Sequence, residues 1–372
     1  MKIGMLGFGS MGKTHTWCLK NIPFFYSSYP EIELVGVCAA HYEKALAAKE
    51  AYGFRFAAKT EDEIIYSNEI DTVDVCTPNC FHYETLKKII LAGKNVYCEK
   101  PLCVTAAQAE EVARLAKEQG VTAQIVFNNR FMTGPLRAKE LIEEGRLGRI
   151  LSFRGTYLHA SCADPDKKAG WKQNRDICGG GVLFDLGSHI LDLMYYLCGP
   201  YKSVYGKSQI AYPTRLGMNG EEWQTNADEA FYVCAEMECG AVGTVEASKI
   251  AVGSNDDLSF EIRGTKGSLK FDLMEPNFLW FYDGTASDGS YGGDRGFTKI
   301  ECVGRYPAPG GIFPSFKAPI GWLRGHMESY RQFLVACEDK GATAPSFEDA
   351  AHIQRVMERA YESDRLGKRL DV

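Results

Sequence analysis

Residues 7–12 read Gly-Phe-Gly-Ser-Met-Gly, directly behind the apolar run Lys2-Ile3-Gly4-Met5-Leu6 and at the start of a helical segment over residues 10–20. Glycines at a strand-to-helix turn allow a tight bend and a close approach to a ligand, and the helix N-terminus turns N–H groups and the positive end of its dipole toward an anion. The pattern predicts the first βαβ unit of a doubly wound parallel sheet, with a dinucleotide pyrophosphate at Gly7, Phe8, Gly9, Ser10, Met11 and Gly12. A second signal completes it. Glu99-Lys100-Pro101 closes the apolar run 95–98, and a lysine at the carboxyl edge of a later strand of the same sheet faces the crevice where such a ligand lies. Together the two imply a nicotinamide dinucleotide with a cationic group near the reacting carbon.

The first third of the chain alternates strand and helix. Strands are expected at 2–6, 33–38, 73–76, 95–98 and 122–127. Helices are expected at 10–20, 43–51, from the capping box Thr60-x-x-Glu63, at 82–91, and from a second box, Thr105-x-x-Gln108, to residue 119. This is the signature of an α/β Rossmann domain over residues 1–128. After Asn128 the pattern changes. A helix at 136–144 is followed by strand-like segments at 150–158, 230–238, 241–248, 258–263 and 268–272, with one long helix at 181–197. Period-two alternation in the strands predicts a second α+β domain over residues 129–372, built on a large, mostly antiparallel sheet. Residues 284–325 are rich in Gly and Pro and read as an irregular arm or lid.

Composition excludes several classes. With 372 residues, two cores are expected. A net charge of -6 speaks against nucleic acid as a partner. No apolar run reaches the roughly 18 to 20 residues of a membrane helix, and glycines break any leader-like N-terminal stretch. The 13 cysteines form no C-x-x-C pair, sit mostly in apolar segments and are odd in number. They are expected as free, mostly buried thiols of a cytoplasmic protein, and no metal site is expected.

A third constellation lies in the later part of the chain, Gly179-Gly180-Gly181-Val182-Leu183-Phe184-Asp185-Leu186-Gly187-Ser188-His189, with Asp192 following. On one helix Asp185, His189 and Asp192 share a face, Gly187 admits a close neighbour, and the three glycines leave N–H groups free. The same pattern also fits a capped core helix whose His189 is satisfied by an adjacent aspartate.

The Gly7–Gly12 turn, Thr77-Pro78-Asn79 with His82, Glu99-Lys100-Pro101 and Asp185-Leu186-Gly187-Ser188-His189, in this order and spacing, resemble the Gfo/Idh/MocA oxidoreductases. Residues 261–269 and 347–363 resemble that family's second domain. The resemblance implies an NAD(P)-dependent oxidoreductase that moves a hydride between nicotinamide and a secondary alcohol of a sugar, inositol or related polyol, with Lys100, Asp185 and His189 catalytic. Such a reaction needs a base and an electrostatic partner for the oxygen. His189 suits the base, Lys100 the partner, Asp185 would orient the substrate or His189, Glu99 would steady the cofactor side, and Asp192 is structural. Thr77, Pro78, Asn79, His82, Glu99 and Lys100 are expected along the cofactor, with His15 and His82 at helix ends nearby.

After the second strand come Cys38-Ala39-Ala40-His41, without the usual acid for the ribose hydroxyls. Its absence removes a repulsion against a 2′-phosphate that His41 or Lys44 could approach, so the cofactor reads as NAD or NADP, with NADP binding at least comparably. Substrate contacts are expected from Asn128, Asn129, His159, Trp171, Lys172 and Arg175. A glycoside-cleaving enzyme working through transient oxidation and a non-catalytic dinucleotide sensor are the alternatives. Apolar residues on both phases of residues 230–235 predict a homodimer or homotetramer formed through the second sheet.

Overall fold

The structure is a computed structural model that describes residues 1–304, 319 and 321–372. Its described residues form two compact units: residues 1–128 with 322–354, and residues 129–304, 319 and 321 with 355–372.

In the first unit β1 (Lys2–Leu6), α1 (Ser10–Phe25), β2 (Glu33–Cys38), α2 (Tyr42–Tyr52), β3 (Phe56–Ala58), α3 (Glu61–Ile65), β4 (Thr72–Val75), α4 (His82–Leu91), β5 (Asn95–Cys98), α5 (Ala106–Gln119) and β6 (Ala123–Ile125) alternate. All strands are parallel, in the order β3-β2-β1-β4-β5-β6. The winding reverses between β1 and β4, so the loops leaving their carboxyl ends diverge and open a crevice there. Local chemistry fixes the helix starts: the Thr60 N–H donates to Glu63 Oε1 (3.2 Å), and Thr105 Oγ1 accepts the Gln108 N–H (3.2 Å).

The expectation of one undivided second domain over 129–372 is corrected by residues 322–354. The helix Trp322–Asp339 carries Met327, Tyr330, Phe333, Leu334 and Cys337 at helical spacing. It buries them against Ile3, Leu19, Ile22, Tyr97 and Val126 of the first unit.

The second unit contains α6 (Thr133–Glu143), β7 (Ile150–Leu158), the short α7 (Arg175–Cys178), α8 (Ser188–Cys198), β8 (Tyr201–Gln209), the small hairpin β9 (Thr214–Leu216) and β10 (Glu222–Gln224), then β11 (Ala230–Met237), β12 (Val242–Ser248), β13 (Asp257–Gly264), β14 (Gly267–Asp272), β15 (Phe278–Asp283), β16 (Phe297–Glu301) and β17 (Leu370–Asp371). Among the described residues nine strands form one sheet, β16-β15-β14-β13-β7-β12-β11-β8-β17, in which only β7 and β12 pair in parallel. α8 lies close on the sheet. A Cβ at Gly155 would come within 2.7 Å of Ile190, and one at Gly187 within 3.5 Å of Ala247. The opposite face exposes Tyr205, Tyr232, Cys234 and Val242.

Three expectations change here. The helix expected at 181–197 is broken: Leu183–Gly187 forms a π-turn before α8 begins. Within Arg175–Cys198 an 18-residue window, at mean hydropathy 1.3, is in fact apolar enough to pass for a membrane span, but 78% of that window is buried within the protein. The kink at Gly179, with φ +82°, interrupts it further. The irregular 284–325 segment includes β16, paired to β15, and the start of the Trp322–Asp339 helix; its residues 305–318 and 320 lie outside the described residues.

Candidate active site

The expected cofactor residues gather at the carboxyl ends of β1, β2, β4 and β5 in the first unit. Gly7 adopts φ +91°, and a Cβ there would sit 2.4 Å from the Cys76 carbonyl oxygen; a Cβ at Gly12 would sit 2.4 Å from that of Gly7. Both positions need glycine for the turn itself. Gly9 differs: a Cβ there would meet nothing within 4 Å. That open cradle faces the start of α1, which has no side-chain cap and no acidic residue in its first turn. Unused N–H groups without a competing carboxylate suit a pyrophosphate. The Thr77 hydroxyl, at the carboxyl end of β4, is buried with no partner among the described residues. These features fit a dinucleotide. Ser10 is exposed, Met11 half-buried, and Phe8 packs on Tyr52 (5.4 Å) and edge-on to Phe54 (6.1 Å).

Pro78 is exposed, and Asn79 opens a single 3-10 turn ahead of α4. His82 is the first residue of α4, as expected, but it is buried. Its Nδ1 and Nε2 lie 2.9 Å from the Pro101 and Thr77 carbonyl oxygens, so the ring ties the two loops together. Burial lowers its pKa, against the pull of the two carbonyl oxygens. The helix-end reading of His15 is corrected. His15 lies inside α1 on the buried stripe with Leu19 and Ile22, Nδ1 3.0 Å from both Asp74 oxygens and Nε2 3.2 Å from Glu99 Oε1.

Metal-ligand residue types converge there, His15 with Asp74 and Cys76, and His15 with Glu99 and His326. Nδ1 is engaged in the aspartate pair, the bond a metal would have to replace. Glu99 Oε2 accepts the Lys100 N–H at 3.2 Å, and Lys100 itself is half-buried. Beyond β2, Ala39 is half-buried while Ala40, His41 and Lys44 are exposed. Burial and then the Glu61 and Glu63 carboxylates push the Cys38 thiol up, which places two acids near the end of β2.

In the second unit the π-turn carries Asp185, and His189 follows in the first turn of α8; both are half-buried. The Asp185 carboxylate is held by two ammonium groups, Lys172 Nζ at 3.0 and 3.1 Å and Lys249 Nζ at 2.9 Å. Lys249 is buried. That burial by itself would lower its pKa, but Asp185 reverses this and raises it above the ordinary lysine value. His189 meets the Tyr157 ring edge-on at 5.9 Å. Tyr157 donates to Asp256 Oδ1 (2.8 Å), and His159 Nε2 lies 2.9 Å from the same oxygen. The His159 bond, then burial in opposition, then Tyr157 leave Asp256 below the usual carboxylate range.

Asp192 departs from the shared face: it is buried and bidentately paired with Arg130 (2.6 and 2.8 Å), the structural role expected of it. The N–H groups after the three glycines are not free either. Asp228 accepts from Gly181 (3.0 Å) and Leu183 (3.1 Å) through its side chain and from Val182 (2.8 Å) through its carbonyl, and Tyr361 also donates to it. A Cβ at Gly181 would collide with Asp228 at 2.2 Å, so this cap is what requires the glycine.

Trp171 is 43% exposed with Lys172 over its ring at 5.7 Å. Arg175 is exposed and stacks 4.5 Å from the Tyr361 ring centre. Asn128 and Asn129 are buried, one in each unit.

Residues 1–127 match the model for the oxidoreductase family with an NAD-binding Rossmann fold, and residues 136–270 match the Gfo/Idh/MocA C-terminal domain. Over its full length the chain is 31% identical to a levoglucosan dehydrogenase of Pseudarthrobacter phenanthrenivorans, covering 98% of that protein. The chain belongs to the Gfo/Idh/MocA oxidoreductase family.

The full chain is also 25% identical to a D-glucoside 3-dehydrogenase of Escherichia coli, covering 97% of it. It superposes on the structure of levoglucosan dehydrogenase with NADH and levoglucosan at a TM-score of 0.94 and 30% identity, over 100% of this chain and 99% of that one. As a member of this family it is an NAD(P)-dependent oxidoreductase acting on CH–OH groups of sugars or related polyols.

Sequence reasoning missed Lys249, Tyr157, Asp256 and Asp228. Lys249 did leave a signal: it is a charged residue directly following the alternating strand β12.

Proposed function

We propose that the chain oxidises a secondary hydroxyl of a hexose presented as an anhydrosugar or glycoside. His189 takes the hydroxyl proton, Lys100 stabilises the negative charge developing on that oxygen, and Asp185 accepts a hydrogen bond from a neighbouring hydroxyl. Bound nicotinamide supplies the hydride acceptor. The observation that carries the reading is Asp185 fixed between Lys249 and Lys172, one turn ahead of His189. A carboxylate already held in place by two cations is a pre-oriented acceptor beside a titratable base. Trp171, with its exposed ring, and the His159–Asp256 pair offer the mixture of apolar face and hydrogen-bonding groups that a sugar needs. The relatives named above, on levoglucosan and on D-glucosides, support this substrate class.

NAD is the working nucleotide in this reading. The acids Glu61 and Glu63 near the end of β2 oppose a 2′-phosphate, against the advantage for NADP that the missing acid suggested. The protein works in the cytoplasm, where free thiols persist. It forms a homodimer or homotetramer through the face of the second sheet that carries Tyr205, Tyr232, Cys234 and Val242; light scattering that gave a single-chain mass would remove that part.

The test of the function is initial-rate formation of reduced nicotinamide with levoglucosan, alkyl glucosides, free hexoses and inositols, each with NAD and NADP. Turnover is expected with NAD on the anhydrosugar or a glucoside. Activity confined to inositols, or release of free sugar with no net reduction of the nucleotide, would overturn the reading.

A further inference from the structure

His15 is the least expected part of the first unit: a histidine inside the nucleotide-binding helix, 1% exposed, between two carboxylates. Its Nδ1 is 3.0 Å from both Asp74 oxygens, and its Nε2 is 3.2 Å from Glu99 Oε1. The second Glu99 oxygen accepts the backbone N–H of Lys100 at 3.2 Å. A line of close charged groups therefore runs from Asp74 on β4, through the α1 imidazole, to Glu99 and the turn that presents Lys100; the Nε2–Oε1 approach lies at ion-pair distance and is not aligned as a hydrogen bond.

The groups facing His15 come from every element packed on it. From β4 come Asp74 and Cys76, whose Sγ is 3.3 Å from Nδ1. From β5 comes the Tyr97 ring at 5.3 Å. From the Trp322–Asp339 helix come Tyr330, which donates to Asp74 Oδ2 at 2.9 Å, and His326, ring centre 6.0 Å away. The Cys76, Tyr97 and Tyr330 protons are all held more tightly than usual by burial, so these groups are neutral. Two buried carboxylates facing one another without a cation would be strongly disfavoured. Burial, the largest single effect, opposes a charge on His15, but Asp74 and then Cys76 together raise the imidazole well above its ordinary pKa.

We propose that His15 is a positioning residue for the reaction: as an imidazolium it fixes the Glu99 carboxylate, and through it the backbone that carries Lys100. This rests on the reading of Lys100 as the group that stabilises the reacting oxygen.

The experiment compares wild type, His15→Gln, Glu99→Gln, the double variant and Lys100→Ala in kcat and sugar KM across pH, with circular dichroism and NAD binding as controls on folding. His15→Gln is expected to lower kcat about tenfold to a hundredfold, the scale of a small misplacement of a catalytic group, with sugar KM nearly unchanged. Glu99→Gln is expected to lower kcat to a similar extent, again with sugar KM nearly unchanged.

The double variant should be no slower than the slower single variant. Multiplying losses, or a His15→Gln enzyme with wild-type kcat, would overturn the inference while leaving the role of Lys100 intact. Wild-type turnover by Lys100→Ala would overturn both. Should His15→Gln fail to fold, nitrogen NMR of histidine-labelled wild type decides: both His15 nitrogens protonated at neutral pH supports the inference, and a neutral ring overturns it. One bound metal ion per chain by elemental analysis would also overturn it, because His15 would then be a ligand.

Discussion

Replacing Lys249 with methionine tests the second unit's site at its most buried charge. The methionine side chain nearly fills the volume of the lysine stem, so packing is kept and the change isolates the ammonium group, which lies 2.9 Å from Asp185 Oδ2. Removing one partner of a fully buried pair costs about 3–5 kcal/mol. Two observations reduce that figure here. The Asp185 side chain is 20% exposed and retains Lys172, whose own side chain is 49% exposed and screened by water. A loss of about 1–3 kcal/mol in folding stability is therefore expected. Turnover should fall about tenfold to a hundredfold, because the carboxylate that orients the substrate loses its fixed partner.

Burial lowers and Asp185 raises the Lys249 pKa, with a net rise, so its contribution is fully present below the ordinary lysine value and fades only as pH climbs through the raised one. The stability difference from wild type should thus be constant from neutral pH up to about pH 10 and shrink above it. Denaturant melts across pH measure the first quantity and steady-state rates the second. Asp185→Asn combined with Lys249→Met should add little to Asp185→Asn alone. A Lys249→Met enzyme with wild-type rate and stability would refute the argument that Asp185 is held by this cation.

Gly9→Val should leave the melting temperature nearly unchanged yet weaken NAD binding more than about tenfold by calorimetry, because its side chain would fill the open cradle. Gly7→Val should instead destabilise the fold itself, since its backbone lies at φ +91° against Cys76. Asp228→Ala should cost about 1–3 kcal/mol in a denaturant melt by stripping the cap from Gly181 and Leu183, and should lower kcat by loosening the π-turn that carries Asp185. Asp256 is held below the usual carboxylate range, so its pairing with His159 stabilises the fold above that range and is lost as pH falls through the lowered value. Acid melts of Asp256→Asn should accordingly show a shallower loss of stability than wild type below about pH 4.

What was legible in the sequence was local. The Gly7–Gly12 turn, the two capping boxes and the Glu99-Lys100-Pro101 strand end each depend on neighbours within a few residues, and all lie at the strand and helix ends expected of them. Short or polar strands were not legible: β3 has three residues, and β8 alternates Lys202, Tyr205 and Lys207 with the buried face on a pattern broken by adjacent buried residues.

The site residues that escaped notice depend on long-range pairing. Asp228 reaches the Gly181 turn from 47 positions away, and Asp256 reaches His159 from 97. His15 was named but misplaced, although its spacing to Leu19 and Ile22 puts it on the sheet-facing stripe of α1. The π-turn over Leu183–Gly187 is not legible because the apolar pattern there also fits the 3.6-residue period of a regular helix.

The central claim, that Lys100 and His189 serve one hydride-transfer reaction on a sugar hydroxyl, is tested most directly by single-turnover kinetics of Lys100→Ala with saturating NAD and levoglucosan or a glucoside. Reduced nicotinamide should form about two to four orders of magnitude more slowly than in wild type while NAD affinity is nearly kept; formation at the wild-type rate would contradict the account.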